Sequence, residues 1–220
     1  MSTIIIHSPG SSHSSLADRP NGFDRTWFMG KWVVAWSTLP MWKEKKDVTI
    51  IYTPVAGQSK IDTTFDDLVE YRSKSADSNS KPSTGTTLCR QGMSHSTLLG
   101  KASRLISVRY NGATFDWKGA GLLFFVHSHW EVLGYGKDEE HGLEWAVTCM
   151  SLSIHFSKTL FTPAGLDIYI RKSPSVSNPG SEDNVARTIL LKRITEAVQA
   201  AEDETLRRLT SKGFEVPGTV

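Results

Sequence analysis

The chain has 220 residues, 39% of them hydrophobic and 22% charged, and 25 basic against 23 acidic side chains leave a formal charge of +2. This composition belongs to a globular domain with a sizeable core, and it lacks the concentrated basic face that nucleic acid or an acidic membrane surface requires. Two cysteines, Cys89 and Cys149, are too few for a disulfide scaffold and show no zinc-ligand spacing; they read as two free thiols or one disulfide. No signal-peptide pattern opens the chain, and no run approaches the ~18 apolar residues of a membrane helix, so a cytoplasmic location is expected.

Residues 1–24 are rich in Ser, Pro, Gly and His without periodicity, which predicts a flexible N-terminal tail or a strap. From Trp27 onward, short apolar runs alternate with turn chemistry, the pattern of an all-β domain. Residues 31–39 read as a strand with Trp32, Val34 and Trp36 on one face, and 40–46 as a turn whose Lys43–Lys46 charges are solvated. In the next strand, 47–53, Val48, Ile50 and Tyr52 alternate with Thr49, Ile51 and Thr53. A weaker third strand spans 61–71. Residues 73–91 are polar and of low complexity, which predicts a loop: a lid over one barrel end, or a surface insertion. Strands resume at 103–110, followed by Asn111-Gly112, the strongest hairpin dipeptide of the chain, and then 113–125, 130–135, 143–150 and 166–171. The expectation is an all-β, eight-stranded antiparallel barrel over 25–172, which encloses one small ligand. Residues 173–220 read as a linker and a C-terminal helix, with Ser181 as N-cap and Gly213 as stop. Its stripe of Val185, Ile189, Ile194, Val198 and Leu209 is expected to pack on the barrel or on a second copy in a homodimer.

The segment Phe28-Met29-Gly30-Lys31-Trp32 resembles the Gly-x-Trp signature of lipocalins and their calycin relatives. The resemblance implies that this tryptophan sits at the closed end of a barrel with an arginine of the last strand packed over it; Arg171 ends the last predicted strand. On that reading Trp32 and Arg171 are structural, as a guanidinium stacked on an indole. The segments 115–121 and 130–136 are also similar to fungal lipocalin-like proteins of secondary metabolism, some of them cofactor-free cyclases. That likeness implies a cyclase or isomerase acting on a hydrophobic natural-product intermediate.

Seven tryptophans are many for this length. Trp36, Trp117 and Trp130, with Tyr52, are the expected ligand-binding lining of an aromatic cavity. Tyr71 and Asp116 are the candidate catalytic hydrogen-bond donor and base. Trp117 and Asp116 have opposite strand parity, so both face inward only if a bulge intervenes near Gly119. His127 and His129 share a strand face with Glu131, but a metal site is not expected. No nucleophile elbow occurs, and no helix follows the glycines at 119, 121, 134 and 136 to make a phosphate loop, so no cofactor is expected. The expected partner is an apolar small molecule, with a non-catalytic carrier as the alternative to the enzyme.

Overall fold

The computed structural model describes residues 3–18, 20–54, 64–77, 79–91, 112–119, 127–151, 165–173 and 183–218. Eight strands follow one another as an antiparallel meander: β1 (Gly30–Ser37), β2 (Lys45–Pro54), β3 (Thr64–Ser73), β4 (Ser83–Gln91), β5 (Thr114–Gly119), β6 (His127–Asp138), β7 (Leu143–Ser151) and β8 (Gly165–Lys172). β8 pairs back onto β1, and β1 pairs with β2, so the sheet closes into a barrel. This is the eight-stranded, lipocalin-like architecture expected from the strand pattern.

Alternation sorts the side chains. Val48, Ile50 and Tyr52 of β2 belong to the interior cluster, as do Trp130 of β6, Ala146 of β7 and Tyr169 of β8. The opposite faces of β7 and β8 are buried as well: Trp145, Val147, Cys149, Leu166, Ile168 and Ile170 form a second cluster with the C-terminal helices. Burial on both faces explains why these two strands read as nearly continuous apolar runs.

The structure differs from the sequence expectation in two elements. Residues 83–91, placed within a polar loop, form β4 and pair with β3 and β5; β-branched threonines at 84, 86 and 87 supply strand preference where apolar residues are scarce. The strand expected at 103–110 lies outside the described residues. The single C-terminal helix is two: α2 (Asp183–Gln199) and α3 (Glu204–Thr210), with Asp203 capping the second by accepting from Leu206 N at 3.0 Å. The buried stripe of α2 is Ala186, Leu190, Leu191, Ile194 and Val198, whereas Val185 and Ile189 are exposed.

A short strand, β9 (Phe214–Glu215), follows α3 and pairs with the end of β1. It takes the β1 edge that β2 leaves, with Val216 N donating to Ala35 O at 3.0 Å and Asp47 N to Pro217 O at 2.7 Å. Val216 thereby joins the interior cluster. The C-terminal segment is part of the barrel wall.

The N-terminal residues close the end where β1 begins. Residues 3–18 run along the outside of β6, with His7 N donating to Leu133 O at 2.8 Å and the Tyr135 hydroxyl to Ser15 O at 2.8 Å. The chain then turns inward through α1 (Arg25–Phe28), capped by Asp24, and places Leu16, Phe23 and Phe28 in the interior cluster. Arg171 lies over Trp32 with its guanidinium carbon 3.9 Å from the ring centroid. It also donates to Met29 O at 2.6 Å and to Glu144 at 2.7 Å. Gly30 adopts φ +101, a conformation that favours glycine, and a Cβ there would stand 3.4 Å from the Arg171 guanidinium. The Trp32–Arg171 stack implied by the Gly-x-Trp resemblance is present.

Candidate functional site: the barrel interior

The floor of the barrel is solid aromatic packing. Phe115 and Trp130 stack at 4.4 Å, Phe28 stacks on Tyr52 at 4.8 Å, and Phe65 meets Phe115 edge-on at 5.3 Å. Phe28, Trp32, Val34 and Phe115 have no accessible surface. Above that floor the interior changes character. Trp42, Tyr52, Asp67, Trp130, Asp167 and Tyr169 face inward from different strands and from the β1–β2 turn, and each retains 4–6% of its surface accessible. With Ile50, also 6% exposed, these rings and two carboxylates form a band that is less completely buried than the floor.

Strand register accounts for that band. Asp67 lies opposite Tyr52 across β2 and β3, and Asp167 lies opposite Thr148 across β7 and β8 and opposite Ser37 across β1 and β8. The Thr148 hydroxyl donates to Asp167 O at 3.5 Å. Burial pushes the Asp167 carboxyl up to about 7, against the opposing pull of Ser37 and Trp42. The Tyr169 hydroxyl is also driven upward, first by burial and then by the negative charge of Asp167, with a smaller contribution from Asp67. Among the described residues, Asp167 Oδ1 is buried and has no hydrogen-bond partner. The band can thus donate from two phenols, accept at carboxylates and stack on indoles.

Of the residues singled out from sequence, Tyr52 and Trp130 are in this interior. Trp36 is not. A bulge between Val34 and Trp36 inserts Ala35 against β8 and reverses the face, so Trp36 packs in the outer cluster with Ile168 and the helices. Asp116 also points out of the barrel: β5 pairs regularly with both neighbours, no bulge reverses it, and its carboxylate meets His129 Nδ1 at 2.9 Å. Trp117 sits opposite Cys89 and Ser128, and its side chain lies outside the described residues. Tyr71 packs at the rim against Trp42, with Lys45 Nζ 4.6 Å from its ring centroid. His129 is committed to Asp116, and the His127 side chain lies outside the described residues. Sequence reasoning passed over Asp67, Asp167 and Tyr169. Period-two alternation with Tyr52 and with the apolar 166, 168 and 170 positions was the available signal.

Polar groups also gather outside the interior. An open depression of about 480 Å³ lies outside the floor, lined by Trp27, Lys31, Lys137, Glu144 and Arg171. Its charges are already spent on the Arg171–Glu144 and Lys137–Glu144 pairs that hold the floor. Burial raises the Glu144 carboxyl, but hydrogen bonds from Arg171 and Trp27, with the Arg171 charge and Lys137, outweigh it and hold it below the usual range. On the outer wall, buried Cys149 is a free thiol that burial pushes up to about 12, which makes it a poor nucleophile.

An up-and-down eight-stranded barrel with a plugged floor and an arginine stacked on the floor tryptophan is a lipocalin-like fold. No family model matches the chain, and no curated protein matches it. Among solved structures it is similar to insecticyanin from the tobacco hornworm Manduca sexta, at 12% identity and a TM-score of 0.44, over 99% of this chain and 89% of that one. The fold assignment stands on strand order, closure and the plugged floor.

Proposed function

We propose that the protein binds one small, largely apolar molecule inside the barrel and acts as its carrier. The observation that supports this most directly is the division of the interior into a sealed aromatic floor and an overlying band with residual accessibility. Stacked rings that are rigid before the ligand arrives lose little entropy on binding, which favours flat, polarizable ligands. The test is titration with a neutral apolar fluorophore such as phenylnaphthylamine, followed by quenching of tryptophan emission. Saturation at one molecule per chain is expected, with Trp130→Leu weakening binding about tenfold, or ~1.4 kcal/mol. Linear, unsaturable uptake that Trp130→Leu leaves unchanged would count against an interior site.

A cofactor-independent cyclase or isomerase of a hydrophobic intermediate is the second reading, and one observation favours it. A carboxyl raised to about 7 beside the Tyr169 hydroxyl is suited to donating a proton or hydrogen bond to a substrate carbonyl at neutral pH. On this reading the working groups are Asp167 and Tyr169 rather than Tyr71 and Asp116. Turnover of a bound linear precursor, lost in Asp167→Asn, separates the enzyme from the carrier; a ligand recovered unchanged after incubation supports the carrier.

A further inference from the structure

The interior contains an acidic group that, among the described residues, is answered by neutral groups and by no cation. Asp167 is 4% exposed, shares the inner face of β8 with Tyr169, and among the described residues its Oδ1 has no hydrogen-bond partner. A carboxylate buried without a partner is costly, and such a group is ordinarily paired with a cation or with several donors. Here the groups acting on it are Ser37 and Trp42, both neutral. Asp67 adds a second interior carboxylate, and both act on the Tyr169 hydroxyl. Arg171, four residues along β8, is held at the floor by Glu144 and two backbone carbonyls. Trp42 and Tyr169, which interact with Asp167, and Trp130 of the same interior cluster offer π faces that attract cations.

We propose that the ligand is a hydrophobic amine whose protonated nitrogen pairs with Asp167 while its apolar body stacks on the aromatic band. The inference rests on the enclosed-ligand reading above and specifies its chemistry. An ammonium supplies the charge and the donor that Asp167 Oδ1 lacks among the described residues, and it is favoured by the same two carboxylates that disfavour a fatty acid or other anion.

Three ligands with one body and different head groups test it: naphthylethylamine, naphthylethanol and naphthylacetate, titrated calorimetrically into the full-length protein at neutral pH. The amine is expected to bind at least about tenfold more tightly than the alcohol, with the acetate weakest, because a desolvated charge pair is worth more than a neutral contact. In Asp167→Asn the preference for the amine is expected to disappear while alcohol binding persists. Alcohol or acetate binding as tight as the amine in the unaltered protein overturns the amine assignment alone, whether or not the variant folds. So does an amine preference that survives in folded Asp167→Asn. Absence of binding by all three overturns the amine assignment together with the enclosed-ligand reading.

Discussion

Arg171 and Asp167 lie on one strand, both point to the inner side of the wall, and their chemistry is opposite. Arg171 is answered by Glu144, Met29 O and Trp27 O, and it seals the floor over Trp32. Arg171→Ala removes the guanidinium from Glu144, which is 1% exposed, and leaves it Lys137 at 3.3 Å and the Ser173 hydroxyl at 3.4 Å, so a loss of about 3 kcal/mol in denaturant titration is expected. Asp167 behaves in the reverse sense with pH. Its folded carboxyl is raised from 3.8 to about 7, so the folded state binds more protons than the unfolded state between those values. Its stabilising contribution is full below the unfolded value and is lost as pH rises through about 7. Urea midpoints of the ligand-free protein are therefore expected to fall from pH 5 to pH 8, and Asp167→Asn is expected to flatten that fall. An unchanged slope in the variant would show that another group controls it.

At the scale of elements, the sequence made some features plain and concealed others for physical reasons. Strong alternation in β1 and β2, the apolar runs of β7 and β8, and the Gly30-Lys31-Trp32 start were legible because each follows from a period or a local conformational demand. β4 was not, because threonine and serine serve loops and strands alike, and only pairing with β3 and β5 decides. The interior lining was half legible. Tyr52 and Trp130 followed from parity, whereas a one-residue bulge moved Trp36 to the outer wall, where no sequence signal marks it. β9 was also invisible: two residues carry no period, yet they fill the β1 edge and bring Val216 inside. Deleting residues 214–218 exposes that edge and empties the Val216 position, so a loss of about 2–4 kcal/mol is expected by calorimetry. Unaltered stability would show that the barrel seam closes without β9.

For the whole molecule, the N-terminal segment plugs one end, the C-terminal helices cover the outer wall of β7 and β8, and β9 completes the seam between β1 and β2. Both termini thus reinforce the barrel, and the remaining accessible band faces inward among rings and acids. The proposed occupant of this interior is one small molecule. Native mass spectrometry of the protein purified from its own source tests it most directly. The expected spectrum shows the 24.4 kDa chain carrying one additional small molecule, released by organic extraction and taken up again by the stripped protein. The bare chain, unchanged in mass after incubation with an apolar extract of the same source, would contradict it.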